Sequence, residues 1–442
     1  MSEILFKYQQ VAPTTWAYLS SLLTIALYFK FSRFWSVRNL DLVILILLAP
    51  GLLLVQYGID QQAFRSNAIA SHIEHMGYIW LFAVNGCLLL RLLLDASMVR
   101  RPLLEPNLSV GGLAFLGISL YIFLMGNIVT GKPNATDVAG SQRADQLQNL
   151  EASKTELTTL RTHGPGFPLV YLLPHISTQQ LLGQEGNEPE AIPRTTLFSV
   201  NRVNVVTAQV MAILSQLAIV LGMMLIGLRH FDNIRAGIAA ATLYLLLPYT
   251  AMWTGAVTHA LPAALLVWAV LLYRRPLFAG AMLGLAFGTI YYPLFLLPLW
   301  ISFYWQRGVW RFLLGFAAMV AVMVGSLAFT SGNMEMFLAC LKQMFGVQFP
   351  IAEDLRGAWQ FWNTVYRYPI IAAFIGLSIS FVLWPPQKNL ATLISCSAAL
   401  LLATQFWHAH SGGLALAWYL PLLLMTIFRP NLEDRVATAV VK

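Results

Sequence analysis

Asp137 and Asp145 stand eight residues apart in TDVAGSQRADQ, at the start of a polar stretch that interrupts an otherwise apolar sequence. A carboxylate placed there is the residue type that takes a proton from a hydroxyl nucleophile. The same stretch carries Arg143, Arg161 and His163, the last in THGPGFPLVYLLPH, and positive groups of this kind stabilise a departing anion such as phosphate. Later in the chain His259 (VTHALP), Tyr291 and Tyr292 (GTIYYPL), and His408 and His410 (WHAHSGG) lie at the ends of apolar runs. Each candidate also has a purely structural reading. Asp137 suits a helix cap, Asp145 alternates with cations on a solvated face, His163 suits a turn, and His259 and His408 suit a membrane interface. His408 and His410 are spaced for an extended loop and have no acidic neighbour in sequence, so no metal site is expected there. No cofactor is implied either. The basic turns contain no Gly-rich phosphate cradle, and nothing in the sequence indicates a divalent metal.

The elements that must position these residues follow from composition. The 442 residues are 58% hydrophobic and only 10% charged, with mean hydropathy +0.67, a balance that excludes a soluble globular domain. The expected fold is all-α, a polytopic transmembrane helical bundle, because lipid tolerates no exposed backbone. Runs long enough to span recur from Thr14 to Phe428 and number about thirteen. The first is expected to be retained, since the N-terminus lacks a basic region and a small-residue cleavage site. Cys87, Cys340 and Cys396 sit in or beside apolar runs at unrelated spacings and read as packing residues.

Short loops with Lys30, Arg33 and Arg38, then Arg100 and Arg101, Arg229 and Arg235, Arg274 and Arg275, Arg307 and Arg311, Lys388, and Arg429 with Arg435 alternate with loops poor in basic residues. That alternation puts every basic turn on one side, the cytoplasmic one, and accounts for much of the +8 net charge without nucleic acid. Two long loops then face outward, 131–202 and 331–368. Three parts are expected: an N-terminal extension of three spans (1–108), a module of spans with the first long loop (109–305), and a C-terminal region with the second (306–442).

Within the first loop, Val138, Leu147, Leu150, Leu157 and Leu160 recur at three- and four-residue spacings, which predicts an amphipathic helix from Asp137 to Leu160 on the membrane interface. Pro165 and Gly166 would end it, and Phe167 to Leu173 would form a second short interfacial helix, holding His163 at the membrane surface. In the second loop, Trp359 and Trp362 are candidate sugar contacts.

The order of parts THGPGFPLVYLL, NRVNVVTAQVMAILSQLAIVLGMMLIGLRHF, RAGIAAATLYLLLPYTAMWTG and the hairpin AGAMLGLAFGTIYYPLFLLPLW resembles the C-type membrane glycosyltransferases, nearest the polyprenyl-phosphate mannosyl- and arabinosyltransferases. The resemblance covers Ser109 to Trp305. It implies inverting transfer from a polyprenyl-phosphate-linked sugar at the outer face of a cytoplasmic membrane, to a glycan, lipid or protein acceptor. It implies that Asp137, or Asp145, is the general base. It also implies that Arg143, Arg161, His163, His259, Tyr291, Tyr292, His408 and His410 hold the substrate or its lipid phosphate. Many such enzymes carry a lysine where this chain has GTIYYP, so a basic residue from elsewhere is expected beside it. Two readings compete: a non-catalytic scaffold of the same fold, and a transporter. The spans show neither a chain of ionisable groups nor a visible inverted repeat in favour of the transporter.

Overall fold

The computed structural model describes residues 12–64, 68–98, 104–131, 133–148, 164–184, 196–330, 333–344, 355, 357–409, 412–432 and 434–437. These residues are 80% helical and contain no strand. The helices are α1 (Pro13–Tyr28), α2 (Val37–Phe64), α3 (Ala68–Leu93), α4 (Val110–Thr130), α5 (Ala135–Gln148), α6 (Gly166–Gln184) and α7 (Thr196–Arg229). They continue with α8 (Ile234–Leu246), α9 (Pro248–Met252), α10 (Val257–Leu271), α11 (Pro276–Thr289), α12 (Leu297–Tyr304), α13 (Val309–Thr330), α14 (Met334–Met344), α15 (Arg367–Ser380), α16 (Leu390–Thr404) and α17 (Leu420–Phe428).

Five stretches are long and apolar enough to cross a membrane: Val37–Gln61, Ala68–Ser97, Val110–Thr130, Arg202–Arg229 and Val309–Ala328. Other apolar helices are shorter, such as α8 with 13 residues, α16 with 15 and α17 with 9. Several of these are buried all round. Every residue of α16 and α17 is buried, as is α8 from Ala236 onward. A helix that is apolar on every face and surrounded by others forms the centre of a bundle. The long helices carry the outward-facing apolar surface, including Phe115, Ile118 and Ile122 on α4.

Several of the basic turns gather at one end of this bundle, while Arg100 and Arg101 lie outside the described residues. Lys30 Nζ donates to Asn107 Oδ1 at 2.8 Å, Arg38 to the Glu105 carbonyl at 3.2 Å, and Arg235 to the carbonyls of Pro106 and Leu108 at 3.0 and 3.1 Å. Beside them lies a buried ion network. Arg91 grips Asp41 with Nε at 2.7 Å and Nη2 at 3.1 Å, and reaches Asp95 Oδ1 with Nη1 at 3.1 Å. Arg429 meets the other Asp95 oxygen at 2.6 Å. Four charges that share one network satisfy one another where any of them alone would be costly.

The three N-terminal helices are bound to the rest of the chain at several depths. Tyr28 donates to the Ala239 carbonyl on α8 at 2.9 Å, and Tyr419 to Asn85 on α3 at 2.6 Å. At the far end Glu74 accepts from Gln360 at 2.8 Å. Close by, His75 stacks on Phe361 with ring centroids 4.8 Å apart. Trp359, 2% exposed, and Trp362 pack into this seam and do not form an open platform for sugar. Cys396 is buried in α16, but Cys87 is exposed on the outside of α3, so it does not pack the core.

Candidate functional site

The end of the bundle opposite the basic turns is organised around α5. Its buried face is Asp137, Gly140, Ser141 and Ala144, at three- and four-residue spacing, with Val138 half-buried beside it; the side chains of Leu147, Leu150, Leu157 and Leu160 lie outside the described residues. The small residues allow close approach: a Cβ on Gly140 would lie 2.6 Å from the Phe167 ring. Phe167 and Tyr171 on α6 are 1% and 0% exposed, so α6 begins as a buried helix packed on α5. The expected short interfacial anchor at Phe167 to Leu173 is thereby corrected. Its aromatics find an apolar surface on the protein, leaving Leu173 to face outward. Residues 149–163, the second half of the expected interfacial helix, lie outside the described residues and include Arg161 and His163.

The Gly-Pro-Gly turn before α6 serves a different contact. Gly164 donates its N–H to the Thr289 carbonyl at 2.9 Å, at the tip of the α11–α12 hairpin. A Cβ at Gly164 would fall 2.2 Å from the Gly288 oxygen, and one at Gly166 would fall 2.9 Å from the Gly288 carbonyl carbon. Glycine at both positions lets two backbones meet. The polar loop is therefore pinned to the hairpin that carries Tyr291 and Tyr292.

Asp137 is completely buried. Oδ1 accepts the Thr258 N–H at the start of α10 at 3.3 Å, and the Val257 N–H and the Asn134 side chain also support the carboxylate. Burial outweighs these donors and raises the carboxyl from 3.8 to about 7. Among the described residues Oδ2 has no hydrogen-bond partner, and neither has the buried hydroxyl of Tyr171, whose own ionisation is pushed well up by burial and then by the Asp137 charge. A carboxyl poised near neutrality with one unoccupied oxygen has the properties of a general base.

The rest of this end of the bundle is aromatic. His259, one residue beyond Thr258, shares a hydrogen bond with the Tyr249 hydroxyl at 2.6 Å and stacks on Trp253 with centroids 4.9 Å apart. Trp418 donates to the Thr258 carbonyl at 3.4 Å, and its ring lies 5.5 Å from His408. His408 is hydrogen-bonded to the Tyr292 hydroxyl. Tyr291 and Tyr292 have centroids 4.3 Å apart. The structure thus joins His259, Tyr291, Tyr292 and His408 in one cluster that reaches Asp137 through Thr258; His410 lies outside the described residues.

Arg367 completes the cluster. It is 3% exposed at the first position of α15, donates from Nε to the Trp407 carbonyl at 2.7 Å, and its charge acts on Tyr291 and Tyr292. A cation therefore stands beside the tyrosines of GTIYYP, supplied from 75 residues further along the chain. Its signal in the sequence was a lone arginine at the entrance of an apolar run.

Asp145 belongs to a separate constellation. Eight residues of helix put it about 12 Å from Asp137, so the two carboxylates do not share a site. His175 Nε2 lies 3.3 Å from Asp145 Oδ1, His175 Nδ1 lies 3.1 Å from Ser141 Oγ, and Ser141 donates to Asn204 Oδ1 at 2.8 Å. The residue types are those of a nucleophilic triad. Ser141 is fully buried, however, and its proton is directed to Asn204, so the network ties α5, α6 and α7 together. Arg143 lies half-buried on the same helix.

A cavity of about 600 Å³ opens between the N-terminal helices and the ends of α4, α7 and the α9–α10 turn, and Asp137 is not on its wall. Two residues of its wall adjoin the carboxylate: Asn134, which supports it, and Ala256, which precedes Val257. The fold and site define a helical protein with five described apolar helices long enough to cross a membrane and a buried carboxyl at one end. Comparison with protein-family models, curated proteins and solved structures returns no match.

Proposed function

We propose that the protein is a polytopic membrane glycosyltransferase that moves a sugar from a polyprenyl-phosphate donor to an acceptor hydroxyl at the outer face of a cell membrane. Asp137 is the general base. The acceptor oxygen bonds to the anomeric carbon as the bond from that carbon to the phosphate oxygen breaks. The acceptor proton passes to Asp137, and the electron pair leaves with the lipid phosphate. Arg367, with Tyr292 and His408 beside it, holds that phosphate. With thirteen spans and the basic turns inside, this end of the bundle faces outward.

The observation that carries the reading is Asp137 itself, a fully buried carboxyl raised to about 7 with one oxygen unpartnered among the described residues, at the end of the bundle where a cation and a polar cavity also lie. A second reading, a non-catalytic scaffold of the same fold, is favoured by the fact that Asp137 also caps the start of α10. Transfer from a panel of radiolabelled polyprenyl-phosphate sugars by protein in lipid separates the two, comparing wild type with Asp137→Asn and Asp145→Asn. Loss of transfer in folded Asp137→Asn, with Asp145→Asn active, supports the enzyme. Equal turnover in all three removes the assignment of the base, and no transfer by wild type favours the scaffold.

A further inference from the structure

The turn between α1 and α2 holds large aromatic side chains in the open on a fixed frame. Asn39, 1% exposed, builds that frame. Its Nδ2 lies 2.9, 3.0 and 3.2 Å from the carbonyl oxygens of Lys30, Arg33 and Phe34, and its Oδ1 accepts the Lys30 N–H at 3.1 Å. One buried amide thus ties both ends of the turn together. Phe31, Phe34 and Trp35 are 72%, 56% and 82% exposed, and the rings of Phe31 and Phe34 lean on the buried Phe29 with centroids 5.0 and 5.4 Å away. Three neighbouring aromatics left exposed on an ordered turn mark a contact surface.

The same turn is ringed by positive charge. Lys30, Arg38 and Arg235 all donate to the short segment 105–108, so three cations converge on four consecutive residues. A fourth, Arg33, is exposed, and its charge opposes that of Arg38; among the described residues its guanidinium has no hydrogen bond or ion pair. Glu105 is the one carboxylate that acts on Arg38, while Asp41 and Asp232 are taken up by Arg91 and Arg435. Four cations against one carboxylate favour an anionic occupant. The surface beside the turn says what carries the anion. Leu19, Leu22 and Leu23 on α1, and Leu40, Val43 and Leu47 on α2, are exposed at three- and four-residue spacing, and α2 is long and apolar enough to cross a membrane. A soluble anion would meet the cations and leave these faces and the aromatics uncovered. A phospholipid covers both, with its head on the cations and its chains along the helices.

We infer that the α1–α2 turn is a binding site for one anionic phospholipid. Arg33, with Lys30 and Arg38, holds the phosphate of the headgroup, and Phe31, Trp35 and the exposed face of α2 take the glycerol and acyl chains. The inference uses the membrane-crossing length of α2 and is independent of the transfer reaction. It gives the N-terminal helices a role, because the turn and both flanking helices belong to them.

The test titrates full-length protein in detergent with phosphatidylglycerol, or with phosphatidylcholine of the same acyl chains, and counts bound lipids by native mass spectrometry. The first phosphatidylglycerol binds about tenfold or more tightly than the first phosphatidylcholine. Arg33→Gln, at a side chain with no described partner to lose, weakens it about fivefold, and Trp35→Ser weakens both lipids. Arg311→Gln, at an arginine on α13 that is likewise exposed and unpaired among the described residues, leaves it unchanged. Equal binding of the two lipids overturns the site, as does wild-type affinity in Arg33→Gln. An equal loss in Arg311→Gln also overturns it, because any surface cation would then serve. Release of the lipid by inorganic phosphate would show a site for a free anion, and a changed oligomeric state in Trp35→Ser with the lipid count unchanged would show a face for a second copy; either result replaces the inference.

Discussion

Asp137 makes stability depend on pH in the direction opposite to that of an ion-paired carboxylate, and replacing it by asparagine is expected to remove that dependence. Its carboxyl moves from 3.8 in the unfolded chain to about 7 in the fold, chiefly through burial. Below about pH 4 both states hold the proton and the group is neutral in the balance. Between about pH 4 and pH 7 only the folded chain holds it, so the unfolded state binds fewer protons and stability falls as pH rises. Above the folded value the full penalty is present, about 4 kcal/mol at 1.36 kcal/mol per pH unit. The asparagine side chain would not titrate, while its amide oxygen can still accept from Thr258. Unfolding free energies of wild type and Asp137→Asn, measured by SDS titration in mixed micelles from pH 4 to pH 8, should diverge with rising pH. The variant should be the more stable by a few kcal/mol at pH 8. Sugar transfer, if Asp137 is the base, should fall by about a hundredfold or more. Parallel stability curves for the two proteins would refute the burial argument, because the penalty would then not exist. A variant that is more stable at pH 8 but transfers sugar normally would leave the electrostatics standing and remove the catalytic role.

The neighbouring groups give further tests. Tyr171→Phe removes a buried hydroxyl that has no partner among the described residues and should stabilise the fold by about 1–3 kcal/mol; a lower midpoint in the same SDS titration would show that the hydroxyl is satisfied. Gly164→Ala forces a methyl against the Gly288 carbonyl and should cost about 1–3 kcal/mol, with faster proteolysis of the polar loop as its signature. Asp95→Ala leaves Arg429 and Arg91 buried with a partner missing and should cost about 3–5 kcal/mol, of which a paired Asp95→Leu, Arg429→Met variant should recover most. Arg367→Gln should lower transfer at saturating acceptor by about tenfold or more, and unchanged turnover would remove Arg367 from the phosphate site.

What the sequence revealed and what it concealed follow from one physical distinction. Apolar run length and the position of basic residues are local properties: each of the thirteen expected runs contains helix, though only five described helices are long and apolar enough to cross a membrane, and several described basic residues meet at one end. The boundaries were less legible where packing overrides periodicity. On α5 the buried face is built from Asp137, Gly140, Ser141 and Ala144, which the apolar spacing does not mark, because only small side chains let Phe167 and Tyr171 approach. The site depends on pairings between distant parts of the chain. Asp137 is held in its buried position against Thr258, 121 residues away, and Tyr291 acquires a neighbouring charge from Arg367 in a different loop. Neither pairing has a local motif. On the proposed reading a single acidic residue, not a pair, serves as the base. A second carboxylate beside Asp137 would repel it and raise its proton affinity again, whereas helix N–H groups at α10 limit the rise to about 7. The isolated Asp137 is thereby a carboxyl tuned by backbone and burial, with its function separated from the Asp145–His175 network that holds the surrounding helices.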